Sequence, residues 1–211
     1  TELSTRYNPA FGRGSEFSYV IQNMGRRTSW IVEPQLSWNH DFGNTRLSAL
    51  VGASFQERFS DRLSLRASGF SSNSLIGNIA AATTLDIISD VDRTYRYHAI
   101  FGRLNLNHKG RYILNMTGRR DGSSRFGPDR RFSNFGAVGL AWIFSEEALV
   151  RQTLPFLSFG KIKGSYGTSG NDQIGDYQYL DTYSFGSLQY QNGFGLYPTR
   201  LFNPDFSWER N

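Results

Sequence analysis

The chain has 211 residues, no cysteine, 22 glycines and 15% aromatic residues, with 23 Lys and Arg against 18 Asp and Glu for a formal charge of +5. Without cysteine a disulfide framework and a thiolate metal site are both excluded, and no run reaches the roughly 18 consecutive apolar residues of a membrane-spanning helix. A mean hydropathy of −0.46 leaves a membrane β-barrel open, because a barrel strand is apolar on one face only and averaging hides it.

Read in chain order, the start "TELSTRYNPAFGRG" has no initiator Met, basic n-region or apolar h-region. The chain is therefore expected to be a piece of a longer polypeptide, with any signal peptide upstream. The first clear strand pattern is "TSWIVEPQLSWN", where Trp30, Val32, Pro34, Leu36 and Trp38 share one face and Ser29, Glu33, Gln35, Ser37 and Asn39 the other. Trp30 and Trp38 stand roughly 27 Å apart at about 3.4 Å per residue, close to the height of the apolar band of an outer-membrane barrel. Pro34 cannot donate to a ladder, so an edge or a bulge is expected there. "HDFGNT" is a turn by composition, and "RLSALVGASFQ" resumes period two with Leu47, Ala49, Val51, Ala53 and Phe55 on one side.

Residues 58–93 keep no steady period and are expected to form a long excursion with one short helix near Ala80. Alternation returns in "YRYHAIFGRLNLN", with a phase slip at Phe101 and Gly102 that suggests a bulge. "HKG" turns the chain into "RYILNMTGRR", again greasy on one face and wet on the other. This strand ends in "RRDGSSRFG", three arginines, an aspartate and two glycines in nine residues. In "NFGAVGLAWIF", Val138, Leu140, Trp142 and Phe144 oppose small residues. "SEEALVRQTLPF" reads as a short helical connector capped by Ser145, with Glu146 and Glu147 in its first turn. "FGKIKGSYGTSG" puts Lys161, Lys163 and Ser165 on one face. About seven strands result, joined by short turns at one end and long loops at the other. That asymmetry suits an outer-membrane barrel better than a β-sandwich.

The motifs "RRDGSSRFG", "FSNFGAVGLAWIFSEE", "KIKGSYGTSGND", "IGDYQYLDTYSF" and "NPDFSWE", taken in this order, resemble the barrel of SusC/RagA-like TonB-dependent outer-membrane transporters. The resemblance is firmest from about Tyr95 onward and includes the Trp30–Trp38 hairpin. Two positions depart from the family pattern: Gly136 stands where a proline is usual, and Phe206 where a leucine is common. The resemblance implies an all-β fold, a transmembrane antiparallel up-and-down barrel of about 22 strands. Residues 1–211 would supply part of that barrel domain, with the plug domain outside this chain. It further implies active import of a large nutrient, an oligosaccharide or a peptide, across the outer membrane of a Gram-negative bacterium. TonB would energise it through the N-terminal region, and a SusD-like lipoprotein would act as lid. The readings from other classes are a soluble secreted glycan-binding β-sandwich and an ungated porin.

Candidate substrate-binding residues are Arg119, Arg120, Asp121 and Arg125, whose guanidinium forks suit carboxylates and sugar hydroxyls, and Tyr177 and Tyr179, whose rings could stack on sugars. Against this stands a structural role: a motif shared by transporters of different cargo is expected to build ion pairs between strands, and the Tyr177, Tyr179 and Tyr183 spacing equally fits an aromatic girdle. Trp30, Trp38 and Trp142 are assigned to the girdle, against outer-membrane lipid. No catalytic constellation is expected: there is no Gly-x-Ser-x-Gly elbow, and nothing fixes Asp172 and Asp176 as an acid–base pair. His40, His98 and His108 lack metal-ligand spacing, "GRGSEF" and "GFGLYP" lack the setting of a nucleotide loop, and neither a cofactor nor a nucleic-acid partner is expected.

Overall fold

A computed structural model describes residues 2–4, 18–190 and 193–211; the "GRGSEF" stretch lies outside them. The strands are β1 (Glu2–Ser4), β2 (Tyr19–Val32), β3 (Gln35–Phe42), β4 (Thr45–Phe70), β5 (Ala82–His108), β6 (Tyr112–Ser123), β7 (Phe132–Trp142) and β8 (Ile162–Thr168). These form one sheet in the order β1-β2-β4-β5-β6-β7-β8, with β3 also on β4. The pairs β1–β2, β3–β4, β5–β6, β6–β7 and β7–β8 run antiparallel. Two small sheets complete the chain: β9 (Gly170–Asn171) with β12 (Glu209–Arg210), and the hairpin β10 (Thr182–Tyr190) with β11 (Gly193–Arg200). The chain divides into two compact units, residues 1–29 with 58–94 and residues 30–57 with 95–211.

In the second unit the register turns sequence alternation into rungs. Tyr112 pairs with Trp142 and Trp142 with Ile162; four residues further along the same strands, Leu104, Met116, Val138 and Tyr166 form another apolar rung. Next comes a rung of Gly102, Gly118 and Gly136, and then Ile100, Arg120 and Asn134, where polar groups enter. From Tyr112 to Arg120 is roughly 26 Å at about 3.3 Å per residue, the height of a barrel's lipid-facing belt. The large side chains of this face include Leu104 at 36%, Leu36 at 76% and Tyr166 at 83% exposed, so no second sheet among the described residues covers them. A continuous apolar face of that extent is unstable in water and favourable in hydrocarbon.

The opposite face is small and polar. Its rungs are Asn105, Asn115, Gly139 and Ser165, then Arg103, Thr117, Ala137 and Gly167. Small residues leave space, and amides, hydroxyls and charges keep that space wet.

Pro34 interrupts the edge as expected: β2 stops at Val32, β3 starts at Gln35, and the Pro34 carbonyl still accepts from the Ala53 N–H at 3.0 Å. The bulge expected at Phe101 and Gly102 is absent, since β5 and β6 pair without a register shift from Tyr97 to His108. Phe101 belongs to the inner face, lying over Gly52, where a Cβ would come within 2.6 Å of its ring. The apparent slip was a change in what the inner face carries, aromatic at one end of the strand and polar at the other.

Residues 58–93 are not a loop. They complete β4, 26 residues long, and begin β5, 27 residues long; between them lie 3-10 turns at Asn73–Leu75 and Ile79–Ala81, the latter where a helix was expected. Period two was hidden because apolar and polar residues mix on both faces of these extensions, with Leu85, Ile87 and Ile88 exposed among serines and charges. In this first unit Val20, Ala67 and Phe70 form a small core under Leu75, Ile76 and Ile79. Gly69 is required there: its φ is +75°, and a Cβ would fall 1.9 Å from the Thr83 hydroxyl oxygen.

Two tight turns, at Gly43–Asn44 and at Lys109–Gly110, lie side by side, joined by the Lys109 N–H to the Asn44 carbonyl at 2.7 Å. The link from β7 to β8 leaves from the same end and holds the helix α1 (Ala148–Thr153). Ser145 does not cap it. The cap position is Glu147, whose carboxylate instead accepts from the Tyr112 hydroxyl at 2.6 Å, Trp142 Nε1 at 3.2 Å and Arg111 Nη1 at 3.0 Å.

Candidate functional site

The burst "RRDGSSRFG" begins where β6 leaves the apolar belt, and strand alternation splits it. Arg119 and Asp121 point to the inner face with their ladder partners Phe101, Phe135, Ala99 and Ser133; Arg120 points to the outer face, 5.3 Å above the Phe132 ring. Arg119, Arg120 and Asp121 therefore do not form one site. Arg119 Nε donates to Asp121 Oδ1 at 2.8 Å, and its Nη2 donates to the Tyr97 hydroxyl at 2.6 Å. Asp121 is 6% exposed, and Arg119 is its ion-pair partner at 2.8 Å. Tyr97 stands beyond the belt, three residues past Ile100. Burial, with the Asp121 charge, pushes its hydroxyl up to about 12, so it stays a neutral phenol.

Arg125 lies past the end of β6 and is held from several sides. Its Nε donates to Asp176 Oδ1 at 3.0 Å, its Nη1 donates to the Asp172 carbonyl at 2.9 Å, and the guanidinium lies 4.5 Å from the Tyr95 ring centre. Asp172 Oδ2 accepts from the Tyr95 hydroxyl at 2.7 Å and from Ser123 Oγ at 2.9 Å. Burial foremost, then the Asp172 carboxylate, holds the Tyr95 hydroxyl far above its ordinary range. The two carboxylates that a glycosidase reading would take as acid and base are thus the counter-ions of Arg125.

Beneath these charges sit rings. Phe126 is fully buried, with Phe135 and Trp208 against it; ring centres lie 5.3 Å apart for Phe126 and Trp208 and 5.5 Å for Phe135 and Trp208. Trp208 Nε1 donates to the Arg131 carbonyl at 2.9 Å, and Arg210 Nη2 to Ser133 Oγ at 2.9 Å. Phe206 packs on the same cluster. "RRDGSSRFG", "FSNFG", "TSGND" and "NPDFSWE", far apart in sequence, are therefore pieces of one knot. Gly136 keeps an N–H that a proline would lack, directed at Thr168 Oγ1 3.4 Å away.

Next to the knot is a cleft of about 460 Å³ whose lining includes Gln56, Tyr97, Arg119, Asp121, Asn171 and Gln173. Its rings and amides could engage a polyhydroxylated chain, but its charged groups already have internal partners. Sequence reasoning missed Tyr95 and assigned no role to Ser123 and Trp208, although they lie inside the motifs "RRDGSSRFG" and "NPDFSWE". The signal available was the pair of carboxylates two and six residues after Gly170, unexplained until Arg125 meets them.

The remaining candidates are dispersed. Tyr177 and Tyr179 lie in a turn before β10, Tyr177 at φ +58°, so no strand spaces them at i and i+2. Tyr183 is on β10, in the separate hairpin. Trp30, Trp38 and Trp142 are 51%, 47% and 41% exposed. His40 stacks on Trp38, His98 meets Phe55 edge-on, and His108 shares a 2.6 Å hydrogen bond with Thr45. Among the described residues no group of His, Asp and Glu could hold a metal ion.

No protein-family model matches the chain. It is similar to the TonB-dependent receptor P26 of Formosa agariphila, 31% identical over 185 residues that cover 85% of this chain and 19% of the relative. It is also similar to the TonB-dependent receptor SusC of Bacteroides thetaiotaomicron, 36% identical over 116 residues that cover 52% of this chain and 12% of SusC. Among solved structures, that of the RagAB peptide transporter superposes with a TM-score of 0.78 at 26% identity, over 90% of this chain and 21% of that one. The chain thus spans about a fifth or less of the length of these relatives.

Proposed function

Starting from a chain that belongs to the SusC-like TonB-dependent receptors and forms part of their β-barrel, we propose that its parent protein actively imports a large nutrient across the outer membrane of a Gram-negative bacterium. Residues 1–211 supply a run of barrel wall, and the plug and the segment that engages TonB lie elsewhere in the parent. The tight-turn end of the second unit faces the periplasm. Trp30 marks one lipid border, Trp38 and Trp142 the other. Passage through the lumen is the mechanism, so no side chain needs to act as nucleophile, acid or base. A SusD-like surface lipoprotein closes the outer mouth. An oligosaccharide is the cargo class put forward; a peptide is the second, favoured by the likeness to the RagAB peptide transporter.

The observation that carries this reading is the sheet's division into an uncovered apolar face and a small polar one at a spacing that fits a bilayer. The test is uptake of fluorescent oligosaccharides and peptides by cells with and without the parent gene. Import that needs the gene and stops when a protonophore collapses the proton gradient is expected. Gene-dependent entry that ignores the protonophore would instead make the protein a porin, and a parent that is soluble without detergent would end the barrel reading.

A further inference from the structure

The first unit contains a second group of arginines that the account above does not use. Arg27 on β2, Arg62 on β4 and Arg93 on β5 border one cleft of about 330 Å³, together with Arg26, Asp61, Ser60, Ser89 and Val91. All four arginines are exposed, and among the described residues none of them makes an ion pair. The nearby acids on β5 do not neutralise the cleft, since strand alternation sends Asp90 and Asp92 to the face opposite Val91 and Arg93. Asp61 is the one carboxylate in the lining, against four guanidiniums. Like charges gathered without partners repel, and that cost is removed when an anion binds between them.

We propose that this cleft is a binding site for an acidic oligosaccharide, its carboxylates held by Arg27, Arg62 and Arg93. The inference rests on the import reading and names the cargo class for it. One arginine comes from each of three strands adjacent in the sheet, whose axes lie about 4.8 Å apart. That interval is close to the length of one pyranose residue, so a uronic acid chain crossing the strands lays about one residue over each arginine, and the long guanidinium side chains reach carboxylates on either edge of the chain. An extended acidic peptide turns alternate side chains to opposite sides and presents acids at a longer interval. Ser60 and Ser89 supply hydroxyls for the sugar's own hydroxyls, and Val91 is the one large apolar side chain in the lining, too little for an acyl chain.

The experiment uses the full-length transporter in detergent and measures binding of a labelled galacturonic acid hexamer, its carboxyl-reduced neutral counterpart, hexaglutamate and lipid A micelles. The acidic hexamer is expected to bind tightest. The R27Q/R62Q/R93Q variant should weaken it at least about tenfold, the scale of losing charged hydrogen bonds at an exposed site, while leaving the neutral hexamer unchanged. R27K/R62K/R93K, which keeps charge without the fork, should fall between. Unchanged heat-modifiable gel mobility shows that each variant folds. Equal binding of acidic and neutral hexamers, tighter binding of hexaglutamate or lipid A, or full affinity in the triple glutamine variant would each overturn the proposal. A transporter that still imports neutral glycans on the proton gradient, yet shows no charge preference, refutes this site and leaves import standing.

Discussion

Two arginine groups in this chain differ in what surrounds them. Arg119 and Arg125 are bonded to their own counter-ions, Asp121, Asp172 and Asp176, and tyrosine hydroxyls join the same networks. Arg27, Arg62 and Arg93 stand around an open cleft without such partners among the described residues. A guanidinium whose donors are satisfied internally holds strands and loops together, and a ligand could take it only by breaking those bonds. One whose donors face solvent contributes little to folding and is available to bind. Side-chain type does not separate scaffold from site; the state of its hydrogen bonds does.

The sharpest way to break the comparison is to attack the rings beneath the first group. Trp208→Ala removes the side chain that joins Phe126 to Phe135 and leaves the Arg131 carbonyl without its donor. A loss of about 3–5 kcal/mol is expected, the range for large aromatic truncations. It would be read as a lower temperature at which the folded gel band of the parent disappears. A Trp208→Ala protein as stable as the native one would mean that the knot is not structural.

Next in size is the contrast between the two arginine groups themselves. Arg125→Gln leaves Asp172 and Asp176 partly buried and uncompensated, and about 3 kcal/mol of destabilisation is expected. Arg62→Gln, exposed and unpaired, should change stability by less than about 0.5 kcal/mol. Urea unfolding of both variants in the same detergent tests the pair. Equal effects would erase the distinction between the two groups.

A smaller effect separates neighbours on one strand. Arg119→Gln strips a buried carboxylate of its partner, whereas Arg120→Gln removes a cation from above the Phe132 ring at the outer face. The first should cost about 2 kcal/mol more than the second, measurable as the difference between their urea midpoints.

How much of this could be read from residues alone follows from where alternation is visible. Between Tyr112 and Trp142 one face meets hydrocarbon and the other a wet lumen, so period two is loud, and the register of β6 on β7 follows it residue by residue. In 58–93 apolar residues such as Leu85, Ile87 and Ile88 fall on both faces among serines and charges, so no alternation is visible and two long strands look like a loop. Phe101 misled for the reverse reason, being an aromatic on the inner face, where it covers Gly52. The knot was half legible: its motifs were recognisable, yet that Arg125 reaches Asp172 and Asp176 depends on a closure 47 to 51 residues long that no local pattern encodes.

The smallest expected effect lies at the tight-turn end, outside both groups. The Tyr112 hydroxyl, then the Trp142 indole, hold the Glu147 carboxyl below the ordinary carboxylate range. A depressed carboxylate stabilises the fold above its unfolded value and loses that contribution as pH falls through the folded one. Glu147→Gln should therefore lower the unfolding midpoint slightly at pH 7, and the gap between variant and native should close as the pH drops below about 4.3, the unperturbed glutamate value. A gap that persists unchanged at pH 2 would show that Glu147 acts there through the shape of its amide-sized head, and that its charge does not brace Tyr112 and Trp142 at the lipid border.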